Sequence, residues 1–139
     1  MRSRSCRTLI WMAGGVLGLA ALGTAVFSGA KPAEYRHPHP RPGITAAGVM
    51  RDFMLGGFTE AKPAYAVARA IPAVLDGLHC YCNCDMSIGH RSLLSCFEDL
   101  HGAGCDICQR EARAAAEGFA GGRSLEDIRA GIDATYGGG

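Results

Sequence analysis

The stretch from His79 to Cys108, HCYCNCDMSIGHRSLLSCFEDLHGAGCDIC, constrains this 139-residue chain more than any other feature. It holds six of the seven cysteines (Cys80, Cys82, Cys84, Cys96, Cys105 and Cys108) and three of the five histidines, His79, His90 and His101. Burying a small core requires no such concentration of thiol and imidazole. A metal site, a redox site or a set of disulfides would explain it.

The N-terminal part reads as targeting. Arg2, Arg4 and Arg7 precede an uncharged apolar run, Leu9–Phe27, followed by Ser28-Gly29-Ala30. Basic flank, apolar segment and small residues make a signal peptide or an uncleaved membrane anchor over residues 1–30. Everything after Ala30 is then expected outside the cytoplasm, in the periplasm, the cell envelope or beyond. Phe27-Ser28-Gly29-Ala30 has the outline of a lipoprotein cleavage box, but Ala30 stands where the lipidated cysteine would be, so no cysteine-linked lipid is expected.

Fourteen Lys and Arg face thirteen Asp and Glu; without the three leading arginines the balance is eleven to thirteen. With no basic stripe and few aromatics, nucleic acid is not expected as a partner. Export matters for the thiols, because an oxidising compartment favours disulfides.

Lys31–Gly43 is Pro-rich and reads, with Ile44, as an extended linker that does not pack. His37 and His39 in it are solvated linker histidines or loose metal contacts. From Thr45 to about Gly137 the pattern is helical. Thr45 caps a short helix with Ala46, Val49, Met50 and Phe53 on one face, ending at Gly56-Gly57. Met50 and Met54 read as core filler rather than thioether ligands. Ala64–Leu78 is a second helical stretch, with a kink or break expected at Pro72.

Gly89–Leu100 reads as a helix with Leu93, Cys96, Phe97 and Leu100 inward, and Gly102 and Gly104 then break the chain. A helix from Cys105 to about Phe119 places Cys105, Cys108, Ala112, Ala115 and Phe119 on one side. The short connection makes these two helices antiparallel, with Cys96 opposite Cys108 and His101 beside Cys105. Ser124 to Asp127 cap a last helix bearing Leu125, Ile128, Ile132 and Tyr136. No segment alternates long enough for a sheet. The expected fold is all-α, a small Cys-rich helical domain behind a signal or anchor helix.

Cys80-Tyr81-Cys82-Asn83-Cys84, then His90, then SLLSCF and HGAGCDIC, resemble a family of bacterial exported proteins and lipoproteins named for a PCYCGC motif, more loosely CYCxC. The likeness runs from about Tyr65 to Tyr136. His79 replaces the motif's proline, and Asn83 its glycine, a substitution that a left-handed turn tolerates. The missing lipid-anchor cysteine is a further departure. The resemblance implies export, the cysteine framework, and metal or redox chemistry.

Three functions compete. Thiolate and imidazole suit Zn(II) and Cu(I). Cys80, Cys82 and Cys84 would supply half a site and Cys96, Cys105 and Cys108 the rest, completed by His90 or His101. His79 and Met86 are further candidate ligands, although Met86 reads first as a loop residue packing on the core. Eight donors exceed what one tetrahedral ion needs, which allows two ions or a small copper cluster. Alternatively, six cysteines make disulfides that staple an envelope interaction domain, although neighbours in C-x-C pair poorly with each other. Least favoured is a thiol–disulfide oxidoreductase using Cys105 and Cys108, because Asp106 opposes thiolate stabilisation and the βαβ context is absent. No catalytic residue stands out, and binding rather than catalysis is expected.

Overall fold

Every regular element among residues 36–138, which the computed structural model describes, is helical, and these residues contain no strand. The leading segment expected to be a signal or anchor lies outside the described residues. No described helix is long and apolar enough to cross a membrane.

Three short 3-10 turns (Ala46–Gly48, Asp52–Leu55 and Thr59–Ala61) lead into helix α1, Lys62–Ala70, which has Pro63 in its first turn. The helix stops at Ile71 (φ −129°, ψ 50°), and α2 begins at Pro72 and runs to Asp76. This is the break that a ring without an N–H donor imposes. A single turn, α3 (Cys84–Ser87), and a 3-10 helix, Leu93–Phe97, follow. Another single turn, α4 (His101–Gly104), precedes the two long helices, α5 (Asp106–Ala120) and α6 (Leu125–Tyr136). Ser124 and Asp127 form the expected capping box of α6, each side chain bonding the other's backbone N–H.

Helix α5 is the spine, packed on α1 and α6 and touched by α2, α4 and the Leu93–Phe97 turn. Tyr65, Leu75, Leu78, Leu93, Leu94 and Phe97 are fully enclosed around it, each contributing on the order of 2 kcal/mol by burial. Tyr65 meets Phe97 edge to face at 5.0 Å and donates its hydroxyl proton to the Asp99 carbonyl at 2.6 Å. The four cysteines Cys80, Cys84, Cys96 and Cys108 belong to this same core.

Several expected faces turn out differently. Leu93–Phe97 is wound at three residues per turn, so the face holding Leu93 and Cys96 no longer includes Leu100, which is half-exposed. Tight winding also turns Phe53 outward, leaving it 85% exposed. On α5 the inner face continues from Ala115 to Gly118, where Ile128 of α6 sits 2.9 Å from where a Cβ would lie. Phe119 is therefore half-exposed.

The Pro-rich segment packs from His37 onward, contrary to its composition. His37 is buried; its Nδ1 accepts the His79 N–H at 2.9 Å, and its Nε2 meets Asp133 at 2.8 Å. The Pro38 carbonyl accepts from the buried Arg129 guanidinium at 2.8 Å. Arg41 and Arg91 both bond the enclosed carboxylate of Asp76, at 2.8 and 2.9 Å, and Ser92 adds a third contact at 3.1 Å. Long-range hydrogen bonds to buried partners hold this segment, and a composition window cannot register them.

Candidate metal centre

Local conformation aims the three thiols of the CYCNC segment inward. Tyr81 and Cys82 form a turn, and Asn83 is left-handed (φ 60°, ψ 28°), the one non-glycine residue with positive φ among the described residues. Asparagine adopts that conformation more readily than most residues that carry a Cβ. The buried carboxylate of Glu111 on α5 fixes the turn by accepting the Tyr81 N–H at 2.9 Å. On the other side, Tyr81 donates its hydroxyl proton to Asp133 of α6. The loop is thus held between the two long helices.

Opposite it, the 3-10 turn presents Cys96, α4 presents His101, and the start of α5 presents Cys105 and Cys108. Gly102 makes this approach possible. A Cβ there would lie 2.6 Å from the Cys96 carbonyl oxygen and 2.9 Å from the Phe97 ring. Gly102 therefore does not break the chain; it sits inside α4 so that α4 can press against the Cys96 turn. Gln109 clamps the joint, its amide donating to the carbonyls of Gly102 and Ala103 at 3.0 and 3.1 Å.

The sulfurs converge. Cys80 lies 3.4 Å from Cys82 and 3.5 Å from Cys108, Cys82 and Cys108 are 3.6 Å apart, and Cys84 and Cys96 are 3.4 Å apart. His101 directs Nε2 at the Cys82 sulfur from 3.3 Å. All six described cysteines are free, and these gaps far exceed the ~2.05 Å of a disulfide. They approach the ~3.8 Å edge of a tetrahedron built from ~2.3 Å zinc–sulfur bonds. Three sets of four donors each lie within 4.8 Å of one another: Cys80, Cys82, Cys96 and Cys108; Cys82, Cys84, Cys96 and His101; and Cys82, His101, Cys105 and Cys108.

The remaining candidate ligands lie outside these sets. His90 bonds Asp99 at 3.0 Å and stands edge-on to the His101 ring at 5.2 Å, with a buried Nδ1 that has no partner among the described residues. His79 stacks edge-on against Tyr81. Met86 is 84% exposed and packs on nothing in the core.

Protonation divides the donors. Burial opposes charge on Cys82, but hydrogen bonds from His101 and then from the neighbouring thiols outweigh it and bring its pKa down to about 6. Burial pushes the Cys84 thiol up to about 11. Cys80 is pushed up by its contact with Cys108 together with burial. Contact with Cys108 favours the Cys96 thiolate, and contact with Cys80 favours that of Cys108. Their other sulfur neighbours and burial outweigh these effects, so both thiols are also pushed up. Burial raises Glu111 to about 7 against the pull of Cys80 and the Tyr81 N–H, and its Oε2 has no partner among the described residues.

Glu111 was legible only as an acid standing between Cys108 and Ala112 on the inner face of α5. Asp133 and Gln109 gave no signal, because their partners are remote or main-chain. No curated protein and no solved structure is detectably similar to the chain. The family model described as "protein of unknown function with PCYCGC motif" matches residues 43–139, the part that carries the whole thiol cluster, and the chain belongs to that family.

Proposed function

We propose that this protein binds a soft transition-metal ion, Cu(I) or Zn(II), through its Cys/His cluster, and that it does so outside the cytoplasm. One observation carries the reading. Six thiols and one imidazole from four separate elements form three overlapping four-donor groups at ligand distances, without a disulfide among them. Thiolate and imidazole are the donors that Cu(I) and Zn(II) prefer. Thiols in an oxidising compartment escape pairing most readily when a metal holds them. The compartment is inferred from the basic, apolar and small-residue order of residues 1–30.

Elemental analysis of the full chain, purified without oxygen and exposed separately to each ion, tests the binding. Stoichiometric metal is expected in the wild type. Cys82→Ser should lower it most, since Cys82 belongs to all three donor sets. Protein with all six thiols free that still refuses both ions would overturn the reading. Fusion of residues 1–30 to a reporter active only outside the cytoplasm tests export, and an inactive fusion refutes it.

A further inference from the structure

We infer that the centre is polynuclear: at least two ions, bridged by the Cys82 and Cys108 thiolates, an inner one enclosed and an outer one at an open edge. This rests on the metal-binding reading and specifies how that site is filled. A single four-coordinate ion on Cys80, Cys82, Cys96 and Cys108 would leave other donors idle beside it. His101 Nε2 lies 3.3 Å from Cys82, and Cys105 joins both of them and Cys108 in a further donor set. The three donor sets overlap instead of competing for separate places: Cys82 is in all three, and Cys96, Cys108 and His101 are in two each.

Bridging chemistry restricts which sets fill together. A thiolate has lone pairs for two metals, whereas the imidazole nitrogen has one. The two sets containing His101 therefore cannot be occupied at once through it. Each remaining pair of sets includes the Cys80–Cys82–Cys96–Cys108 group and shares two sulfurs, one of them always Cys82.

Charge favours the same filling. Four thiolates around one divalent zinc leave two uncompensated negative charges among buried side chains, beside Glu111. A second zinc on the shared edge recruits one further thiolate and neutral His101, leaving one. Each added ion displaces the protons of the thiols it recruits to solvent. Cu(I), which needs fewer donors per ion, would fill the same pool with two or more.

Burial distinguishes the two places. Cys80, Cys96 and Cys108 are enclosed, whereas Cys82, His101 and Cys105 are half-buried. The outer ion therefore sits on Cys82, His101, Cys105 and Cys108, where a competing thiol can reach it. The inner ion sits on Cys80, Cys82, Cys96 and Cys108.

The test is anaerobic titration of the full chain with Cu(I), supplied as its acetonitrile complex, and separately with Zn(II), read by elemental analysis and X-ray absorption. Two or more ions per chain with a metal–metal scattering shell are expected, and Cys82→Ser, which leaves Cys108 as the one sulfur common to the two positions, should weaken that shell. Cys105→Ser should cost one ion and leave the inner one bound. One ion per chain in the wild type would overturn the polynuclear site while leaving the metal-binding reading intact, whereas none would overturn both. Two ions with no metal–metal shell would refute the bridge, and full loading of Cys105→Ser would refute the outer position. The wild-type stoichiometry and scattering stand even where a variant does not fold.

Discussion

Gly102→Ala probes whether the centre depends on the close approach of α4 to the Cys96 turn. The added Cβ would lie 2.6 Å from a main-chain carbonyl oxygen and 2.9 and 3.0 Å from two atoms of the enclosed Phe97 ring. Ordinary carbon–oxygen contact begins near 3.3 Å, so the turn must retreat by roughly 0.7 Å. Neither obstacle is the free end of a flexible side chain. Overpacking of this kind costs about 1–3 kcal/mol, against which alanine returns somewhat under ~1 kcal/mol of helix propensity in a single turn. A net loss of about 1–2 kcal/mol lowers Tm by roughly 5–15 °C for a domain of this size. Thermal unfolding followed by circular dichroism measures it, with Gly104→Ala as the comparison. Gly104 ends the same helix, and nothing lies within 4 Å of its Cβ position. A Gly102→Ala protein melting with the wild type, or no lower than Gly104→Ala, would refute the close-packing account. Because Cys96 serves two donor sets, metal content should fall with Tm.

Asp76 should make the fold acid-sensitive. Burial opposes its charge, but Arg41, Ser92 and Arg91 outweigh that and hold the carboxyl below its ordinary value. Its stabilisation is then present above the unfolded pKa and lost as pH falls through the folded one. Asp76→Asn should cost about 1–3 kcal/mol at neutral pH and flatten the acid limb of a denaturation series below roughly pH 4. Equal acid limbs in the two proteins would refute it. At Asn83, alanine should destabilise by about 1 kcal/mol and glycine should be neutral or better, because the left-handed conformation penalises a Cβ. Denaturant midpoints decide this, and alanine matching glycine would contradict it.

The helical character and the break at Pro72 were legible because periodicity and proline chemistry act over a few residues. The meeting of Cys96 with Cys108, and of His101 with Cys105, was legible for a related reason: a short connection leaves the flanking segments little choice but to fold back. Faces were misread wherever the winding tightened. A change from 3.6 to about 3 residues per turn rotates a side chain out of a stripe within one turn, as at Leu100. Gly102 looked like a breaker, since sequence shows only its missing side chain and not the carbonyl it accommodates. The packing of His37 and Arg41 was invisible because each is held by a residue far along the chain, Asp133 and Asp76. Asn83 supports the loop through its own backbone conformation, and Gln109 supports the α4–α5 joint through main-chain carbonyls that sequence does not place.

The same thiols serve the core and the candidate centre, which would link folding to metal loading. A neutral thiol is a small apolar group, so Cys80, Cys84, Cys96 and Cys108 can close the core without metal. Their raised pKa values mean that they enter it protonated. A soft ion must displace those protons, so its apparent affinity rises with pH. Cys82 is different, because at neutral pH it already carries much of its charge beside His101, at the half-buried edge. On the metal-binding reading, an arriving cation would therefore meet a prepared thiolate first and recruit the enclosed sulfurs as their protons leave. The half-buried edge would then govern how fast metal exchanges, and the enclosed sulfurs how tightly it is kept.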